Sequence, residues 1–220
     1  MEQLPEKDFN ARIADRVGKQ VAKAREGKGG RKMSAQALAD RCAELGHPLD
    51  RSVIAKLEKG IRQTVTVADV LVLARALDVP PVTLLFPLDQ AQVELLPGES
   101  GPMWSAVQWF AAERPFPAGE EDPAAVSRWE PPAAIALYRQ HEEFVRECLR
   151  LAGRAADYRT QATLAAGDAK IRLETAADAD AMLAMSLREV IQGMRRSLRS
   201  LNHEPPLLPE PLRGLDDETS

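Results

Sequence analysis

Between Ala133 and Leu201 the chain runs 69 residues without a proline, and strong helix formers dominate it. A stretch of that length and composition is read as helix. Leu137, Phe144, Cys148, Leu151, Ala155, Tyr158 and Ala162 follow three-and-four spacing, with His141 at one seam position. Leu183, Leu187, Val190, Met194 and Leu201 repeat the pattern further on. The two registers do not join across Ala165-Ala166-Gly167-Asp168. Gly167 suits a helix end and Asp168 a new cap, which leaves 34 residues on each side, 133–166 and 168–201. Equal arms of about 50 Å, at 1.5 Å per residue, favour a helical hairpin. One continuous coiled coil competes with it, because an isolated glycine inside a helix costs only about 1 kcal/mol. Either form has an apolar face too wide for a lone helix. That predicts self-association through Phe144, Cys148, Leu151, Leu183, Leu187, Val190 and Met194.

The N-terminal third has a different texture. Phe9, Ile13, Val17 and Val21 recur every fourth residue over a helix expected from Asp8 to Glu26. A basic glycine turn, Gly27 to Lys32, precedes a second helix from Ser34 to Leu45, with Ser34 as its cap and Leu38, Ala39 and Cys42 on its buried side. The glycines neither follow an apolar strand nor match the order of a phosphate-binding loop. Then comes Asp50 to Gly60: a carboxylate placed to cap, an apolar pair at Ile54 and Leu57, and a glycine stop. Val67, Val70, Leu71, Ala74 and Leu77 space a fourth helix, and Pro80 or Pro81 opens a short fifth through Leu85.

Four stretches carry a resemblance: Ser34-Ala35-Gln36-Ala37-Leu38-Ala39, Ser52 to Arg62, Val67 to Leu77, and Val79 to Leu85. In that order they resemble the Xre-type helix-turn-helix regulators, which are Cro-like and phage-repressor-like, over about Phe9 to Pro87. The turn from Ala43 to Pro48 is longer than the tight one usual in that family. The resemblance implies an all-α fold: a five-helix repressor-like DNA-binding domain (8–87), followed by the long helical hairpin or coiled coil (133–201). It also implies base reading by Arg51, Ser52, Ala55 and Lys56. The residue chemistry agrees. A helix enters the major groove, arginine offers two donors to guanine O6 and N7, serine donates or accepts, and alanine meets a thymine methyl. Gln36, with Arg31, Lys32 and Arg62, is expected on phosphates. Glu58 is expected in an internal ion pair, since a carboxylate facing phosphates repels them.

Charge supports this division. Residues 1–86 carry 15 Lys or Arg against 11 Asp or Glu, and residues 87–220 carry 14 against 22. A basic head on an acidic body suits a protein that touches DNA with one end. Between them, 88–132 reads as a connecting segment. It holds a short strand at Gln92 to Leu96, one helix from Pro102 to Ala112, and a linker with five prolines over Glu113 to Pro132. Trp104, Trp109 and Phe110 read as a core plug, or as a pocket for a small effector. The end, 202–220, reads as a proline-rich acidic tail: Pro205 to Leu212 is extended, cannot be helical and can lie along the helical body, and Asp216-Asp217-Glu218 is disordered.

Enzymatic chemistry finds no motif. His47, His141 and His203 are scattered, Glu142-Glu143 face apart on a helix, and Cys42 and Cys148 lack metal spacing. No metal or cofactor is expected. With an acidic, unleadered N-terminus and no apolar run of about 18 residues, the reading is a cytoplasmic protein that does not enter the membrane. The resulting expectation is a homodimeric transcriptional regulator of double-stranded DNA, more a repressor than an activator. Two alternatives accompany it: an antitoxin-like regulator whose acidic helical region holds another protein, and an effector sensor built on Trp104 and Trp109.

Overall fold

The computed structural model describes residues 8–27, 32–117 and 123–216. It is mostly helical, and it forms two compact units, residues 1–129 and 130–220.

The first unit begins with five helices: α1 (Phe9–Glu26), α2 (Ala35–Glu44), α3 (Arg51–Glu58), α4 (Val67–Leu77) and α5 (Pro81–Leu85). Side-chain oxygens start three of them. Asp8 accepts from the Ala11 N–H, Ser34 from Ala37, and Thr66 closes a reciprocal capping box with Asp69. Val17, Val21, Leu38, Cys42, Ile54, Leu57, Leu73 and Leu84 form one core from all five helices. Cys42 is a free, buried thiol; burial first, then the Asp69 charge, pushes its pKa up.

Beyond Pro87 the connecting segment is more structured than its sequence announces. Strands β1 (Gln92–Leu96) and β2 (Glu99–Pro102) form an antiparallel hairpin around Gly98, whose φ of 80° suits a residue without Cβ. Helix α6 (Met103–Phe110) follows, and Phe86, Val93, Leu95, Met103 and Ala106 build a second core in this unit. A salt bridge ties the hairpin to α1. Arg12 donates twice to the Glu94 carboxylate at 2.7 Å, and Arg16 donates to the Glu94 carbonyl at 2.7 Å. The Arg12 bonds hold the Glu94 carboxyl below its ordinary pKa. A further helix, α7 (Pro123–Arg128), interrupts the stretch read as a pure linker, because proline suits a first helical turn.

The second unit is a pair of long helices, α8 (Ala133–Leu164) and α9 (Gly167–Ser200), packed along their lengths as a hairpin. The corner needs only two residues because Gly167 turns with a φ of 56°. Asp168 therefore lies inside the first turn of α9 and is not its cap. On α8 the buried positions include His141, Cys148, Leu151, Ala155 and Ala162, in the register read from sequence. On α9 the buried line runs through Ala177, Asp180, Ala184, Ile191, Met194 and Leu198, with Leu187 packed against it. Leu183 and Val190 lie one position off that line and are exposed. The larger side chains suggested the wrong register, since alanines at 177 and 184 let the helices approach closely.

The tail departs most from expectation. Residues Glu210–Leu215 form a 3-10 helix, with Leu208 and Leu212 buried against α8 and α9. Proline at its first turn permits a short helix where a long one is forbidden. Asp216, read as disordered, accepts from Arg195 and Arg199; residues 217 and 218 lie outside the described residues.

Candidate nucleic-acid interface

Helix α3 is held from both ends and from beneath. Its first bonds are backbone ones: the N–H groups of Val53 and Ile54 donate to the Asp50 carbonyl at 2.9 and 3.1 Å. The Asp50 side chain makes no capping bond, contrary to expectation, which leaves that end of the helix to other groups. At the far end Gly60 adopts a φ of 64°, and the N–H groups of Gly60 and Ile61 return to the carbonyls of Leu57 and Lys56. This is the Schellman closure, and it requires the left-handed conformation that glycine adopts freely. Ile54 and Leu57 anchor the underside.

Two contacts then fix α3 against its neighbours. Arg25, near the end of α1, forks onto the Glu58 carboxylate at 2.8 and 3.0 Å and donates to the Met33 carbonyl at 2.8 Å. Its bond to Glu58 raises the guanidinium pKa further. One arginine thus joins α1, the entry to α2 and the exit of α3, and Glu58 is the internal ion pair expected of it. Gly18 lets α1 touch the α3 backbone: a methyl there would lie 2.6 Å from the Leu57 carbonyl carbon and overlap its oxygen. Arg41 donates to the Ala76 carbonyl at 3.0 Å and joins α2 to α4.

The long turn from Leu45 to Asp50 is itself ordered. Gly46 takes a φ of 81°, His47 donates its N–H to Cys42, and Leu49 is buried. The His47 ring lies 3.1 Å from the buried Asp69 carboxylate, which also accepts from Arg62 at 2.8 Å and from the Thr66 N–H at 3.0 Å. Burial works to raise the Asp69 pKa; the Thr66 and His47 hydrogen bonds and the Arg62 charge outweigh it and hold the carboxyl low. Asp69 thereby links the turn before α3 to the loop after it. The apolar spacing that locates α4 in the sequence does not mark Asp69.

Against this frame the expected contact residues separate into groups. Arg51, Ser52 and Lys56 are exposed and Ala55 is half-buried. At about 100° per residue they occupy one arc of α3 opposite Ile54 and Leu57. Lys59, which the sequence reading did not include, extends the same arc and is exposed. Arg51, Lys56 and Lys59 have no hydrogen-bond or ion-pair partner among the described residues. Gln36 is exposed and bonds Asp40 along its own helix at 2.8 Å; Lys32 is exposed. Arg62 is different: its guanidinium is committed to Asp69, and its Nη1 is buried without a partner. Arg31 lies outside the described residues.

The aromatic trio does not converge. Trp109 packs edge-on against Phe116 at 5.0 Å, and Phe110 leans on Phe86 at 5.5 Å while 58% exposed. Trp104 is 62% exposed. The seven expected dimer-forming residues also divide. Cys148, Leu151 and Met194 are buried and Phe144 and Leu187 partly buried within the helical hairpin, whereas Leu183 and Val190 face outward. No helix among the described residues is long and apolar enough to cross a membrane. Comparison of the chain with protein-family models, curated proteins and solved structures gives no match.

Proposed function

We propose that the first unit binds double-stranded DNA as a repressor-like helix-turn-helix domain, and that the chain acts as a homodimeric transcriptional regulator, most simply a repressor. One observation carries this reading. The arc of α3 bearing Arg51, Ser52, Ala55, Lys56 and Lys59 faces solvent, while the opposite side is fixed by Ile54, Leu57 and the Arg25–Glu58 fork. An eight-residue helix presented in this way fits the width of the major groove, and Arg51, Ser52 and Lys56 on it, with Lys59 at its C-cap, lie where base edges differ. Rigid support matters because discrimination between bases depends on bidentate geometry, which a loosely held helix loses.

In this reading Arg51 reads a guanine and Ser52 a neighbouring base. Lys56 and Lys59 reach acceptors or the flanking phosphates, and Lys32 and Gln36 fix the register. The test is selection of binding sites from random duplex DNA with the wild type beside Arg51→Ala. The expected result is a two-fold motif that relaxes at one position per half-site in the variant, with a penalty of about 1–3 kcal/mol at that position. Salt-sensitive binding to all sequences alike, unchanged in Arg51→Ala, would overturn base reading by α3.

A further inference from the structure

Helix α9 has three distinct sides. Its seam, from Ala177 to Leu198, is spent on α8. On one flank Arg195 sits under the C-terminal segment, donating to the Pro206 carbonyl and to Asp216. On the other flank, roughly a quarter-turn from the seam, stand Leu183 and Val190, with Met182 beyond them and Met185 further round, at the back of the helix. These four are 54%, 44%, 70% and 65% exposed. Helix α8 shows no comparable cluster: its exposed large apolar residues are Ile135 and Leu164, at opposite ends.

Two further properties of this side say what covers it. Ala179, Ser186 and Gly193 lie between the large residues, and a methyl on Gly193 would meet nothing within 4 Å. Small residues at this spacing let a second helix approach closely. The charges at the two ends are opposite: Asp178 precedes the apolar stretch and Arg196 follows it, on the same edge. Arg196 has no ion-pair partner among the described residues, and Asp178 has only a 3.5 Å contact with Arg159. The midpoint of Leu183 and Val190 and that of Asp178 and Arg196 coincide to within a residue, beside Ser186 and Leu187. The side is therefore complementary to itself when reversed. Running parallel, it would set Asp178 against Asp178.

We propose that this side of α9 is where a second copy of the chain docks, antiparallel about a two-fold axis near Ser186. Leu183 of one copy faces Val190 of the other, and Asp178 faces Arg196, each pair occurring twice. The proposal rests on the DNA-binding reading only for its purpose, the pairing of two heads on two half-sites. It also moves the dimer contact away from the hairpin seam, leaving Leu183 and Val190 as its apolar centre.

Sedimentation equilibrium on the full chain tests it. Wild type is expected at twice 24.1 kDa, and Leu183→Glu/Val190→Glu at the single-chain mass with unchanged helical circular dichroism. Arg196→Asp should weaken association about tenfold, and the exchange Asp178→Arg/Arg196→Asp should restore it. Ser186→Cys, a small change at an exposed position, should form an inter-chain disulfide on oxidation, since both native cysteines are buried. A single-chain mass for wild type, a dimer that survives the double glutamate, or no rescue by the charge exchange would each overturn the proposal. Arg51→Ala should remain dimeric, so a failure of base reading leaves the oligomer result readable by itself.

Discussion

Replacing Gly18 by alanine should destabilise the first unit, against the trend for glycines in helices. In an open helix the change stabilises by about 1 kcal/mol, since glycine is the weaker helix former. At Gly18 the added methyl overlaps the Leu57 carbonyl oxygen and lies 2.6 Å from its carbon and 3.1 Å from the Glu58 nitrogen. All three are backbone atoms, which cannot rotate aside, so α3 must move bodily by about 1 Å or more. Overpacking of this kind costs about 1–3 kcal/mol, and rigid backbone neighbours place it at the upper end. The net expectation is a loss of about 2 kcal/mol, seen as a fall of roughly 8 °C in the first unit's melting transition. Gly153→Ala provides the contrast: nothing lies within 4 Å of a methyl there, so the second unit should gain up to about 1 kcal/mol. The assay is thermal unfolding of both variants, followed by DNA binding of folded Gly18→Ala at fixed salt. If Gly18→Ala melts at or above wild type, the close approach of α1 and α3 does not hold α3 in place and the reasoning fails.

Other perturbations follow from the same contacts. Arg25→Ala removes the fork on Glu58 and the bond to Met33, and should cost about 2 kcal/mol in denaturant unfolding. Arg25→Lys should recover only part of that, because an ammonium cannot reproduce the fork. Arg62→Ala should lower thermal stability by orphaning part of the buried Asp69 network, while the salt dependence of DNA binding stays as in wild type. A slope reduced by about one unit would instead assign Arg62 to a phosphate. In the second unit, burial first and then the Arg195 charge lower the pKa of His141. Its Nε2 faces the Arg195 Nη1 donor at 3.1 Å and must accept, which requires the neutral ring. The unfolded chain binds that proton more readily than the folded one. The stabilising contribution is thus fully present above about pH 6.5 and is lost as pH falls below it. Urea unfolding of wild type and His141→Gln between pH 5 and 7.5 should show the slope only in wild type.

Sequence legibility followed the strength of the local pattern. The first five helices were readable because caps, apolar spacing and glycine stops agree: Ser34, Gly60 and Pro81 each mark a boundary that the structure keeps. The α8 seam was readable because Phe144, Cys148 and Leu151 are large enough to stand out. The α9 seam was not, because alanines occupy the inward positions at 177 and 184 and the bulkier neighbours imply a register one residue away. The hairpin at 92–102 was half legible: β1 alternates, whereas β2, Glu-Ser-Gly-Pro, has no strand character of its own and is defined by its pairing. Within the candidate interface, exposure of Arg51, Ser52 and Lys56 follows from helical spacing. The commitment of Arg62 to Asp69 depends on two loops meeting, which no local pattern encodes.

The corner at Gly167 has a kinetic meaning. Contacts between α8 and α9 nearest the corner join residues only a few positions apart, whereas those toward the open end join distant residues, such as His141 and Arg195, which are 54 apart. Loop closure is least costly where separation is smallest, so the two helices zip from Gly167 outward. The free ends meet last, and there the segment carrying Leu208 and Leu212 settles across them, held by Arg195 and Arg199. The segment up to Asp216 thus completes a unit whose folding begins at Gly167, and without that segment the unit would hold a zipped corner with frayed ends.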